Sequence, residues 1–322
     1  MRKLESDPNL RNLRRRPVHG VLLLDKPLGL SSNAALQKAK WLLRAQKAGH
    51  TGTLDPLATG VLPLCFGAAT KFSQLQLEAD KAYEAEIRLG IRTSTGDAEG
   101  EVIAQRPVPP VAPERLAEVQ RQFTGALRQL PPMHSALKKD GKALYDYARA
   151  GIEVERETRD ITVHALQLQQ LAADRIRLVA RVSKGTYIRT LGEDIAEALG
   201  CGGHLSLLRR TATGAFGLAP CLTLQQLEAM DEPARLAALQ PVEVLLEGHN
   251  RVVLGQDDAA RFLSGLRRRG PWPDDPHVAV FGDEPRALLG TAHVKAGELI
   301  PTRLLSPIEI QQILGSEEPA TA

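Results

Sequence analysis

The chain has 322 residues, 43% of them apolar, enough for a large domain with its own core and a smaller second one. Its net charge of +3 is mildly basic and compatible with a polyanionic partner. The three cysteines, Cys65, Cys201 and Cys221, form no C-x-x-C pair, which argues against a disulfide framework or a structural zinc and fits a reducing cytoplasm. No apolar run approaches membrane-spanning length, and the N-terminus lacks a signal-peptide core. Aromatic residues make up only 4%, so aliphatic side chains must carry most of the core.

In chain order, Arg2, Lys3, Arg11, Arg14, Arg15 and Arg16 crowd the first residues against only Glu5 and Asp7, so 1–17 reads as a flexible basic arm. Residues 21–24 read as a buried strand ended by Asp25-Lys26-Pro27. Ser31 and Ser32 are good N-caps for a helix to about 45, with Ala35, Ala39, Leu42 and Leu43 on its apolar side. A loop over 49–63, rich in glycine and threonine, then surrounds Asp55. Residues 83–89 alternate cleanly, with Tyr83, Ala85, Ile87 and Leu89 on one face. Residues 93–97 form a turn, and Pro113 opens a helix carrying Leu116, Val119 and Phe123. Pro131-Pro132 breaks the chain, and residues 133–159 mix lysines and arginines with Tyr145 and Tyr147. That pairing suits nucleic acid, or a surface helix hairpin packing its tyrosines down.

Two further strands alternate, one with Ile161, Val163 and Ala165 on a face, the other with Ile176, Leu178, Ala180 and Val182. A helix over 186–199 buries Ile188, Leu191, Ile195 and Leu199 and ends at Gly200, and a strand-like piece over 205–210 follows. Pro241 and the turn at 247–250 mark a boundary. Beyond it, a short helix near 257–266 and strands at 278–281, 287–294 and 299–305 make a small β-rich module, and 316–322 reads as frayed.

The chain has no P-loop, no dinucleotide-binding glycine motif after a strand, no H-E-x-x-H and no G-x-S-x-G elbow. What remains is the Asp55 loop. A glycine-rich loop is costly to order, and that cost commonly supports binding or catalysis; a turn or helix cap is the plain alternative. A carboxylate can serve as a covalent nucleophile when a nearby cation keeps it ionised, and Arg189 is a candidate for that cation.

The stretch Gly49-His50-Thr51-Gly52-Thr53-Leu54-Asp55-Pro56-Leu57-Ala58-Thr59-Gly60 resembles the signature loop of the TruB family of tRNA pseudouridine synthases. Asp25-Lys26-Pro27-Leu28-Gly29-Leu30-Ser31-Ser32 resembles the family's opening motif, and Lys81-Ala82-Tyr83 the segment bearing its active-site tyrosine. Pro131-Pro132-Met133-His134-Ser135-Ala136-Leu137-Lys138 resembles its RNA-gripping insertion. Ser183 through Arg189, and Gly200 through Arg210, resemble its later motifs. These pieces span about 19–215 in the expected order. Glu99 stands where an aspartate is more usual, and Leu288-Leu289-Gly290-Thr291-Ala292 is the best piece of a loose match to a PUA domain.

The resemblance implies an α+β fold, a mixed and mainly antiparallel sheet with flanking helices. It places a pseudouridine synthase domain at 18–246, an RNA-gripping insertion at about 131–159 and a PUA-like RNA-binding domain at 250–315. It implies isomerisation of uridine 55 in the T-loop of tRNA, with no cofactor and no metal. Asp55 would be the nucleophile, toward C1′ of the ribose or C6 of the base. Tyr83 would stack on the target base and serve in proton removal, and Arg189 would pair with Asp55. His50 would fill the space left by the flipped nucleotide, Tyr187 and Leu208 would line the base pocket, Asp97 would contact Arg189, and Lys26 would join the substrate-binding set. The partner implied is the T-arm of tRNA, for a cytoplasmic monomer needing no protein partner and no membrane. A non-catalytic RNA-binding module and a guide-dependent relative are the competing readings. The presence of Asp55, Tyr83 and Arg189 disfavours the first, and the insertion Lys138 through Tyr145, resembling the stand-alone bacterial type, disfavours the second.

Overall fold

The computed structural model describes residues 15–317, so Arg2, Lys3, Arg11 and Arg14 of the expected arm lie outside the described residues. The end of that arm is docked: Arg16 bridges to Ala45 in the backbone and pairs with Glu232 at 2.7 Å.

The centre of the molecule is one large mixed sheet. Its main strands are β1 (Gly20–Lys26), β2 (Ala58–Phe66), β3 (Lys81–Leu89), β4 (Gly125–Gln129), β5 (Arg159–Ala172), β6 (Arg175–Val182), β7 (Gly203–Thr213) and β8 (Leu222–Thr223). They lie in the order β8-β1-β2-β7-β3-β6-β5-β4. Only β8 on β1 and β7 on β2 pair in parallel, so the expected mainly antiparallel mixed sheet is present. The short strand Ala48–His50 adds to the edge of β2.

The alternating strands form as their pattern dictates, β3 burying Lys81, Tyr83, Ala85, Ile87 and Leu89 and β6 burying Ile176, Leu178, Ala180 and Val182. In β5 the expected face breaks. A register shift between Val163 and Ala165 turns Ala165 outward and Leu166 inward, because a bulge inserts one residue and reverses the alternation. The larger correction is β2. Residues 58–63, expected as loop, begin a nine-residue strand buried on both sides. Its Gly60, at φ +102°, lies so close to β7 that an added Cβ would sit 2.1 Å from the Arg210 carbonyl oxygen.

Two apolar layers sandwich β1 and β2. Leu22, Leu24, Leu62 and Leu64 join the main core with the helices Ser32–Leu42 and Ile188–Ala198. Their neighbours Val21, Leu23, Val61 and Cys65 face the other way, into a core shared with Phe72, Phe216 and Leu245 and with the C-terminal module. That module is a five-stranded sheet of β9 (Asn250–Leu254), β10 (Arg268–Arg269), β11 (Asp275–Gly282), β12 (Ala287–Lys295) and β13 (Glu298–Leu304), in the order β9-β11-β12-β13-β10. The strands β9 and β10 add to the three expected, and the expected helix is Gln256–Leu263. A last helix, Pro307–Glu317, runs through the first part of the tail expected to fray, while 318–322 lie outside the described residues. Lys71 fastens this end to the large sheet, its Nζ 2.6 Å from Glu309 and donating to the Leu304 carbonyl at 2.9 Å.

The outer face of β3, β6 and β5 has no such cover. It carries a ladder of exposed ion pairs instead: Arg177 with Glu84, Arg175 with Glu86, Arg88 with Asp174, Arg181 with Asp80 and Lys184 with Glu78.

Candidate active site

Asp55 occupies the tight connection leading into β2, and its neighbours Leu54 and Pro56 are tied down. The Ser32 hydroxyl, at the start of the helix Ser32–Leu42, accepts from the Leu54 N–H at 2.7 Å and donates to the Leu54 carbonyl at 3.0 Å. The Pro56 carbonyl accepts from the Gly29 N–H at 2.8 Å and from the Lys26 ammonium at 3.4 Å. Lys26 is fully buried and also donates to the Leu30 and Pro27 carbonyls, which joins the opening motif to the Asp55 loop. Burial pulls its ammonium down to about 8, with Asp55 and Glu99 opposing.

Arg189 stands in the first turn of the helix Ile188–Ala198, with its side chain only 5% exposed. Its Nε lies 2.9 Å from Asp55 Oδ2 and 3.7 Å from Asp97 Oδ2. Its Nη1 donates to the Thr95 carbonyl at 2.7 Å and its Nη2 to the His134 carbonyl at 2.6 Å. One guanidinium therefore joins the Asp55 loop, the 93–97 turn and the root of the insertion. Asp97 is buried, and its Oδ1 accepts from the Thr95 hydroxyl at 2.6 Å and the Glu99 N–H at 3.1 Å.

Asp55 differs from its neighbours in exposure: its side chain keeps 36% of its surface open while Asp97 keeps 4%. Burial of what remains pushes the Asp55 carboxyl above the usual carboxylate range, the Arg189 guanidinium pulls it back, and the Asp97 charge pushes it up again. The result is a carboxylate about one-third open to solvent and aimed by a fixed cation, as an attacking carboxylate requires.

The other expected residues distribute around this pair. Tyr83 is buried in β3, opposite Arg210 of β7 on one side and Ala180 of β6 on the other, and it makes no hydrogen bond to Asp55 or Arg189. Leu208 is buried in β7, opposite Ala58, the first residue of β2. Tyr187 precedes the helix Ile188–Ala198 rather than lying within it, and its N–H and carbonyl are clasped by the Gln129 side chain at 2.8 and 3.0 Å. Burial raises its hydroxyl. His50, on the edge strand Ala48–His50, has a buried Nδ1 without a partner, and burial lowers its imidazole.

The insertion is a two-stranded hairpin, Lys138–Lys139 with Lys142–Ala143, and a single short helix, Leu144–Arg149, rather than a helix hairpin. Tyr145 and Tyr147 stack with cations, Arg149 lying 5.3 Å from the first ring and Lys142 4.7 Å from the second. Cavities of about 590 and 670 Å³ lie at the seam with the C-terminal module, and neither is lined by an expected site residue. Among the described residues no helix is long and apolar enough to cross a membrane.

The family model for the TruB family pseudouridylate synthase N-terminal domain matches residues 40–188, and that for the tRNA pseudouridylate synthase B C-terminal domain matches 189–247. The chain is 65% identical over 311 residues to the tRNA pseudouridine synthase B of Verminephrobacter eiseniae, covering 95% of this chain and 94% of that protein. The chain belongs to the TruB family of pseudouridylate synthases. The protein of the same name from Ralstonia nicotianae is 57% identical, over 90% of this chain and 95% of that one. Among solved structures, a chain in the crystal structure of a Cbf5-Nop10-Gar1 complex is 25% identical, with a TM-score of 0.67, covering 95% of this chain and 90% of its own. A chain of an archaeal box H/ACA sRNP Nop10-Cbf5 complex is 22% identical at the same TM-score of 0.67, covering 95% of this chain and 91% of its own, and shares the fold. The TruB-family fold and enzyme class expected from the motifs are thus established.

One residue of this region escaped the sequence reading. Arg210 of β7 is 1% exposed, and its Nε donates to the Val61 carbonyl at 2.7 Å. Its parity in the strand, shared with Leu208, was the available signal for an inward-pointing charge.

Proposed function

We propose that this chain isomerises uridine 55 in the T-loop of tRNA to pseudouridine, acting alone as a cytoplasmic monomer without cofactor. The relatives named tRNA pseudouridine synthase B support a tRNA substrate. The observation that carries the chemistry is the partly exposed Asp55 carboxylate held by the buried Arg189 at 2.9 Å.

In this reading the target nucleotide leaves the T-loop stack, because its reacting atoms are inaccessible within it. Flipping costs a few kcal/mol, offset by aromatic and basic groups of the protein that meet the extruded base and its phosphates. His50 fills the vacated space, Tyr187 and Leu208 line the base pocket with Lys26 in the binding set, and Tyr83 stacks on the uracil. Asp55 attacks carbon, at C1′ or C6. The N1–C1′ bond breaks, the uracil turns, a C5–C1′ bond forms, and the bond between Asp55 and carbon breaks, which returns the free carboxylate. The proton on C5 leaves, with Tyr83 serving in its removal, and N1 gains a proton, so the reaction is a net isomerisation. Arg189, itself held by Asp97 and two carbonyls, keeps Asp55 ionised and aimed. The short insertion, with its cation-backed tyrosines, grips the T-arm, and residues 250–315 serve as a PUA-like RNA-binding module.

The test is incubation of purified protein with an unmodified tRNA transcript carrying tritium at uridine C5, with no guide RNA. Tritium release that maps to uridine 55 supports the reading. Tight binding without release favours a non-catalytic RNA-binding module, and release only with an added guide RNA and partner proteins favours the guide-dependent one.

A further inference from the structure

Arg210 has no assigned part in the chemistry, yet it lies in β7 opposite Gly60 of β2 on one side and Tyr83 of β3 on the other. It is thus the backbone link between the strand that leaves the Asp55 loop and the strand that carries Tyr83. Its side chain turns back under the loop, where Nε donates to the Val61 carbonyl at 2.7 Å and Nη2 to the Gly52 carbonyl at 3.4 Å.

No carboxylate pairs with this guanidinium among the described residues, and its charge helps push Lys26, Lys81 and His50 toward their neutral forms, burial being the larger cause in each. A charge that is 1% exposed and satisfied only by carbonyls, with no carboxylate partner, is expensive; an apolar side chain of the same volume would be less so. What an apolar side chain lacks is a rigid fork reaching two carbonyls at once. Those carbonyls belong to Gly52, three residues before Asp55, and Val61, six residues after it.

We propose that Arg210 is a positioning residue that clamps both ends of the Asp55 loop onto the strand carrying Tyr83's partner register, fixing the spacing between nucleophile and tyrosine. The tight fit of Gly60 against the Arg210 backbone serves the same end, since an added Cβ would lie 2.1 Å from its carbonyl oxygen. The next residue offers an internal contrast. Arg209 points to the opposite face, where it grips Asp25 at 2.7 and 3.1 Å and donates to the Thr59 hydroxyl at 3.2 Å, reaching neither the Gly52 nor the Val61 carbonyl.

The inference rests on Asp55 and Tyr83 acting together as proposed above. Its test measures single-turnover tritium release and tRNA affinity separately for wild type, Arg210→Met, Arg210→Lys and Arg209→Gln. A displacement of about 1 Å in a reacting group can cost about 100-fold in rate, which is the loss expected for Arg210→Met at an affinity within about threefold of wild type. Lysine keeps the charge but reaches one carbonyl, so Arg210→Lys should fall about tenfold, again in rate and not in affinity. Arg209→Gln should match wild type within about twofold, as expected of a partly exposed surface pair. Equal loss of rate and affinity in the Arg210 variants, or a folded Arg210→Lys with wild-type rate, would overturn the proposal. If Arg210→Met does not fold, Arg210→Lys decides alone. Absence of release by wild type would instead reject the proposed activity itself.

Discussion

The two halves of the large sheet solve the same problem differently. Around β1 and β2 both faces are buried, one under the helices and the other under the C-terminal module. Around β3, β6 and β5 only one face is buried, and the other is dressed in ion pairs. The site draws on both: Asp55 enters from the doubly buried half, Tyr83 from the singly buried one, and β7 between them joins the two. Rigidity follows from packing on both faces. A strand packed on both sides can hold a loop residue to a fixed place, whereas a strand with one wet face relies on its inner alternation and its neighbours' hydrogen bonds.

The contrast can be broken most severely at Gly60. Gly60→Ala forces a Cβ onto the Arg210 carbonyl at a φ of +102°, and should destabilise the protein by more than about 4 kcal/mol or abolish folding, as read by urea unfolding. The second lever is Leu23, 3% exposed on the covered outer face. Leu23→Ala should cost about 2–5 kcal/mol in the same measurement. A smaller effect comes from pH. In the proposed reaction only the ionised Asp55 attacks, and burial pushes its carboxyl above the usual carboxylate range, so the single-turnover rate should fall about tenfold per unit on the acid side, starting above that range. Removing the pull of Arg189 with Arg189→Gln should move that acid limb to still higher pH in a rate-against-pH profile. The smallest effect belongs to the ladder. Glu84→Ala breaks the exposed pair with Arg177 and should change unfolding free energy by less than about 1 kcal/mol. Equal costs for Leu23→Ala and Glu84→Ala would remove the distinction between the halves.

The same division decided what was legible in the sequence. In β3, Tyr83, Ala85, Ile87 and Leu89 alternate with Glu84, Glu86 and Arg88 because one face is wet, and the period of two is plain. In β2 both faces are dry, so Ala-Thr-Gly-Val-Leu-Pro-Leu-Cys-Phe shows no alternation, and its glycine and proline imitate a loop. The turn of β5 at Val163 was invisible because a bulge leaves no mark in composition. Asp55, Arg189 and Asp97 were named from motifs, and their meeting depends on contacts separated by up to 134 residues, which spacing alone does not encode. The Thr95 and His134 carbonyls that finish the Arg189 cradle carry no side-chain signal. The basic cluster at Arg2, Lys3, Arg11 and Arg14 lies outside the described residues, whereas Arg16, read as part of a free arm, is paired with Glu232.

In the proposed reaction Asp55 acts chemically at a site whose shape it does not maintain. The loop around it is held by Ser32, Lys26 and Arg210 through backbone atoms, so the side chain can change without releasing the loop. The most direct measurement is therefore tRNA affinity and tritium release of Asp55→Asn, side by side with wild type. Release should fall below detection while affinity stays within a few-fold of wild type. Affinity lost in proportion to release would contradict that role and make Asp55 a structural residue of the loop.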